Sequence, residues 1–150
     1  MRLRERAAGF TLTELVVVMV IAGILSVFAI SRINTQSFDT EGYANQVAAA
    51  VRYAQRIAIS QRRSVTVTVS AGAIALSYPD IGGAAVRQPP GGDPFTINKP
   101  SGVTIGGTLA GGSVTFNALG RPAPAGTIIV SGGDIPAITL TIESETGYVH

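Results

Sequence analysis

The chain has 150 residues, 46% of them apolar, with no Cys and a net charge of only +2. That length fits one apolar segment plus at most one domain, and the missing Cys excludes disulfides and thiolate metal sites while leaving the redox compartment open. Arg2, Arg4, Arg6 and Glu5 supply the excess charge, so the remainder carries eight groups of each sign. This balance gives no general electrostatic case for nucleic acid or an acidic substrate.

The chain opens with a short basic leader ending at Gly9, followed by a nearly unbroken apolar run over residues 10–30. Only Thr11, Thr13 and Glu14 interrupt the run at its start, and no Pro does. As a helix rising 1.5 Å per residue it would reach roughly 30 Å, the thickness of a hydrocarbon core. Clustered Arg before a first span holds that side in the cytoplasm. A secretory signal is the competing reading, since Ala29-Ile30-Ser31 loosely suits a cleavage site. The placement of Gly9 and Glu14 argues the other way.

A carboxylate in lipid is costly and should find a partner or a protein interior. Thr11-x-x-Glu14 fits a capping box, and an acid in the first turn suits the helix dipole. A cation on a neighbouring chain could satisfy Glu14 as spans pack side by side. Capping and intersubunit pairing are compatible.

Polarity rises after Ile30, where Arg32 could sit among headgroups. Asn34, Ser37, Asp39 and Gly42 weaken helix propensity, so a soft spot or break is expected near residues 34–42, with Asp39 or Thr40 able to cap a second helix. Over residues 43–61, Tyr43, Val47, Ala50, Val51, Ala54, Ile57 and Ala58 recur at three- and four-residue spacing, an Ala-rich stripe that suits close packing on a sheet. Arg52, Arg56, Arg62 and Arg63 make a basic cluster. A solvated face and dipole complementation account for most of it, and weak anion or DNA contact is the alternative.

Residues 64–70 alternate and are β-branched, which predicts a strand with the valines inward. Ala71-Gly72 turns it, and residues 73–78 pair back as a hairpin. The Gly- and Pro-rich residues 79–94 read as a surface loop, lacking the oxygen array of a calcium loop. Short strands are expected at 95–97, 102–105, 113–117, 127–131 and 137–142, then a turn and a brief terminal strand. The single His is the last residue and no Cys exists, so nothing supplies a nucleophile with a base. No enzyme, cofactor or metal role is expected.

Gly9-Phe10-Thr11-Leu12-Thr13-Glu14 and the apolar run behind it resemble the N-terminal signature of type IV prepilins and type II secretion pseudopilins. The resemblance implies cleavage after Gly9 by a prepilin peptidase and N-methylation of Phe10. It also implies that Glu14 pairs with the N-terminal amine of a neighbouring subunit. The implied fold is α+β and pilin-like: a long N-terminal helix, membrane-spanning in its first half, packed on a C-terminal antiparallel β domain. Its parts would be a cleaved leader 1–9, a transmembrane and filament-core helix 10–30, a periplasmic continuation 31–63 and a β-rich domain 64–150. Implied partners are the peptidase, other pilin or pseudopilin subunits, an inner-membrane assembly platform and the lipid bilayer. The implied location is the bacterial inner membrane, N terminus cytoplasmic and C-terminal domain periplasmic, then the pilus or pseudopilus.

Three further stretches narrow the resemblance. Residues 50–59 resemble the second-half helix of the family, in which Ala and basic residues precede the first strand. Val114-Thr115-Phe116-Asn117-Ala118-Leu119-Gly120-Arg121-Pro122 resembles a turn common in the GspH/FimT group, and Thr146-Gly147-Tyr148-Val149 resembles that group's closing turn. Residues 38–63 also resemble minor pilins of mannose-sensitive haemagglutinin-type pili. A minor pilin or pseudopilin is therefore expected. A DNA-binding minor pilin for DNA uptake and a simple membrane-anchored periplasmic domain are the alternatives. The family's DNA-binding members carry a basic glycine-arginine motif near the C terminus, whereas only Tyr-Val-His follows Gly147 here.

Overall fold

The computed structural model describes residues 10–30 and 35–150, with only the backbone described at 27–30 and 35. The leader, Gly9 with its cleavage bond, and Arg32 with its suggested headgroup position lie outside the described residues. The chain divides into two units at residues 34 and 35.

The first unit holds helix α1, Leu12–Ile30. Val, Leu and Ile fill it on every side, so no polar face exists to turn toward water. Its one mid-helix hydroxyl is satisfied internally, Ser26 Oγ donating to the Ala22 carbonyl at 2.7 Å. Among the described residues no helix is long and apolar enough to cross a membrane.

The second unit begins with helix α2, Thr35–Gln61, which runs unbroken. The expected break does not fall at residues 35–42, and Asp39 and Thr40 are interior helical residues rather than caps. Thr40 is fully buried, its hydroxyl donating back to the Gln36 carbonyl at 2.8 Å. A β-carbon on Gly132 would stand 2.8 Å from that hydroxyl oxygen, and one on Gly133 3.1 Å from the Ser37 hydroxyl. Close packing against this small-residue turn overrides weak local propensity. All seven apolar positions of the predicted stripe, Tyr43 through Ala58, are buried.

α2 ends in a left-handed cap. Arg62 adopts φ 50°, its N–H reaching the Ile59 carbonyl at 3.3 Å while Arg63 N–H reaches Ala58 at 3.1 Å. This is the paired hydrogen-bond pattern that usually recruits Gly at the first position beyond the helix.

The strands are β1 (Val65–Val69), β2 (Ala73–Tyr78), β3 (Ala84–Ala85), β4 (Thr96–Asn98), β5 (Thr104–Gly107), β6 (Ser113–Phe116), β7 (Pro122–Ala123), β8 (Gly126–Ser131) and β9 (Ile138–Ile142). The first sheet runs β3-β2-β1-β6-β7, with β4 also on the outer edge of β2, and the second runs β5-β8-β9. Every pairing is antiparallel. The alternation of β1 holds: Val65 and Val67 are fully buried, and Thr66 faces Thr115 with the hydroxyl oxygens 2.8 Å apart. α2 packs on β1 and β6 of one sheet and on β8 and β9 of the other, which places the shared core beneath it.

Residues 79–94 are more than a surface loop. They carry a 3-10 turn (Pro79–Ile81) and β3. Val86 is buried at 1% exposure, its N–H on the Leu76 carbonyl and its carbonyl on Phe95 N–H. One apolar anchor, one bond to Leu76 of β2 and one to Phe95 tie the segment down. The closing residues form a bridge between Ile142 and Val149.

Candidate assembly surfaces

The N-terminal surface follows from the capping chemistry. Thr11 precedes the first helical residue, and its hydroxyl oxygen accepts the Glu14 N–H at 3.3 Å. Its carbonyl accepts Leu15 N–H at 3.2 Å, the first full helical bond. Thr11 therefore fills one orphan donor of the helix start. Among the described residues no group hydrogen-bonds or ion-pairs with the Glu14 carboxylate. Phe10 is 75% exposed just ahead of the helix, and each described side chain of α1 is exposed, Glu14 included. The surface thus offers a carboxylate, one turn inside an apolar helix, with no partner in its own described chain.

A second surface lies along α2. Gln46, Ala49, Ala50, Arg52, Tyr53 and Arg56 from the helix, with Phe95 and the β4 residue Ile97, line a groove of about 540 Å³. Its apolar wall is built by Tyr53 stacked on Phe95, ring centroids 5.2 Å apart. Arg52 holds its place by donating to the Val149 carbonyl at 3.0 Å. No carboxylate lines this groove. Arg52 and Arg56 precede the last turn of α2, which contains no base. The helix dipole, whose effect fades within one turn, therefore does not account for them.

The four arginines divide by partner. Arg52 and Arg56 meet at the groove. Arg63 instead pairs with Asp80 at 2.9 Å and lies over the Tyr78 ring, 4.4 Å from its centroid. Arg62 is exposed at the helix cap. The sequence reading missed Phe95, Asp80 and Gln55. Their partners are 42, 17 and 65 residues away, beyond the reach of local periodicity.

Gln55 explains the two C-terminal motifs together. Its side-chain amide donates to the Gly120 carbonyl at 3.0 Å and the Thr146 carbonyl at 2.6 Å. Asn117 Oδ1 accepts Leu119 and Arg121 N–H groups, at 2.9 and 3.0 Å, which closes the turn around Gly120. Arg121 pairs with Glu145 at 3.2 Å, both largely exposed. The Gly120-Arg121 pair therefore belongs to a turn that locks α2 to the chain end.

The description type II transport protein GspH matches residues 43–146, and the prokaryotic N-terminal methylation motif matches residues 4–30. Among solved structures, the chain is similar to the type IV minor pilin FimU of Pseudomonas aeruginosa at 18% identity. That match covers 76% of this chain and 88% of the other, with a TM-score of 0.58. It is also similar to the minor pseudopilin EpsH from the type 2 secretion system of Vibrio cholerae, at 12% identity over 75% and 94%, TM-score 0.62. At these identities the likeness shows the fold. No curated protein matches the chain.

A methylation motif leading into an apolar helix, then a helix laid on two antiparallel sheets, defines the type IV pilin and pseudopilin class. Members of that class are structural subunits. Within it, the chain belongs to the type II transport protein GspH family.

Proposed function

We propose that this chain is made as a prepilin, cut between Gly9 and Phe10, methylated on the Phe10 amine, and assembled as a minor subunit of a type IV pilus or type II secretion pseudopilus. The observation that carries the reading is Glu14. Thr11 already caps the helix, and the carboxylate has no partner among the described residues. Cleavage before Phe10 sets a cation at the head of every mature chain. A neighbour's amine then satisfies Glu14 as α1 helices pack, and loss of that contact leaves a carboxylate costing about 3 kcal/mol in lipid.

Anchoring in the inner membrane is part of this reading. α1 extends over nineteen residues, about 28 Å at 1.5 Å per residue, close to the roughly 30 Å hydrocarbon core. Side chains are described only over residues 12–26 of it, and the sequence stays apolar through Ile30. The basic leader would stay in the cytoplasm, and the β domain would lie in the periplasm. The assembly platform and bilayer would then be partners alongside the peptidase and neighbouring pilins.

The test is Glu14→Leu. The variant should insert and be cut at the normal level but enter filaments poorly. Normal incorporation would remove the ion-pair role of Glu14.

A further inference from the structure

Arg52 and Arg56 stand one turn apart on the same face of α2, about 6 Å along its axis. Like charges at this spacing disfavour a helix, and no acid occupies the positions three or four residues from either. Arg52 is held at the groove by its Nη2 bond to the Val149 carbonyl, which uses one of five N–H donors. Arg56 is exposed, and among the described residues no hydrogen bond or ion pair engages its guanidinium. Two cations therefore meet where no anion lines the groove. The walls beside them are apolar. Ala49 is exposed one turn before Tyr53, and its small side chain leaves room for a flat group against the helix. Tyr53 and Phe95, both half-buried, stack at 5.2 Å and 24°, and Ile97 closes the β4 side. The volume of about 540 Å³ falls within the range of about 300–1,000 Å³ typical of small-ligand sites.

We propose that this groove binds a small aromatic acid, one planar ring carrying one carboxylate. The ring lies over Ala49 against Tyr53 and Phe95, and the carboxylate accepts N–H groups from Arg52 and Arg56, whose forks suit a carboxylate. The charge sets the ligand class. Two converging arginines neutralise one anionic group, whereas a nucleic-acid backbone calls for a longer array of cations. The remaining arginines of the cluster do not extend the array, since Arg63 is paired with Asp80 and Arg62 closes the helix. A bound anion also offsets the repulsion between the two guanidiniums. The site lies wholly within the second unit and needs no neighbouring subunit, so it stands apart from the assembly role proposed above.

The test is a titration of the ¹⁵N-labelled full-length chain in zwitterionic detergent with 2-naphthoate, following the side-chain Nε–H signals of Arg52 and Arg56 by NMR. The expected result is a saturable shift of both. The uncharged 2-naphthamide, which keeps the ring, and acetate, which keeps the charge, should each bind about tenfold more weakly or less. Arg56→Gln should weaken 2-naphthoate about tenfold and leave 2-naphthamide unchanged, a split that general damage to the fold would not produce. Ala49→Leu, at an exposed helical position, should fill the floor and abolish binding of both. No saturable shift at either arginine would overturn the proposal, as would equal affinity for 2-naphthoate and 2-naphthamide. Binding that ignores both substitutions would place the ligand elsewhere and overturn it too. Saturable binding of the peptide N-acetyl-Asp-Phe-amide without binding of 2-naphthoate would make the occupant a protein segment and contradict the small-molecule assignment.

Discussion

Gln55 holds Gly120: its side-chain amide donates to the Gly120 carbonyl at 3.0 Å, and the same nitrogen reaches Thr146 at 2.6 Å. One helical residue thereby fastens two turns that lie 26 residues apart in the chain. Gly147 sits inside this clasp at φ 66°, where a β-carbon would stand 2.6 Å from the Gly120 carbonyl oxygen and 3.0 Å from the Phe116 ring. Both strain and overlap oppose a larger residue. Gly147→Ala should cost about 2–3 kcal/mol and Gln55→Ala about 1–2 kcal/mol, read by chemical unfolding of the full chain in detergent.

Tyr43 is 1% exposed, and its hydroxyl has no hydrogen-bond partner among the described residues. An unsatisfied buried hydroxyl is a cost that Phe avoids. Tyr43→Phe should therefore raise stability by about 1 kcal/mol. Burial also pushes the Tyr43 phenol above its usual value of 10.0. Below that pH both folded and unfolded chains keep the proton and the group adds no pH dependence. Above it the unfolded chain ionises first, so wild-type stability should decline with rising pH. Urea midpoints at pH 8 and above pH 10 should show this component lost in the Phe variant.

Arg62 closes α2 in the left-handed region, φ 50°, where a side chain costs about 1 kcal/mol relative to Gly. Arg62→Gly should recover about that amount. A loss of stability instead would mean that the Arg62 side chain contributes more than its backbone strain removes. The unfolding midpoint decides between them.

The Arg63–Asp80 pair is 29% and 44% exposed at its two side chains. Solvent screens such a contact, so Asp80→Asn should cost less than about 1 kcal/mol. Raising salt should erase most of the difference between the two proteins in the same unfolding experiment.

Much of this architecture was legible because burial follows periodicity. The stripe from Tyr43 to Ala58 and the alternation of Val65 and Val67 read directly onto the core. The helical state of residues 37–42 did not, because Ser37, Asp39 and Gly42 are poor helix formers, and only the Gly132-Gly133 turn packed against Ser37 and Thr40 shows what holds the helix there. Residues 79–94 looked like loop because Gly and Pro dominate them, while the one residue that pins them, Val86, stands alone among polar and small neighbours. Glu14 was legible as an acid out of place in an apolar run. The groove was not, since Phe95 joins it from 42 residues beyond Tyr53.

The central claim is maturation at Gly9 and Phe10, and mass spectrometry of the chain's N terminus tests it most directly, with and without prepilin peptidase. The account predicts a peptidase-dependent chain beginning at N-methylated Phe10. A chain beginning near Ser31 would mean ordinary signal-peptide secretion, and an uncut chain beginning at Met1 a simple membrane anchor; either would contradict it.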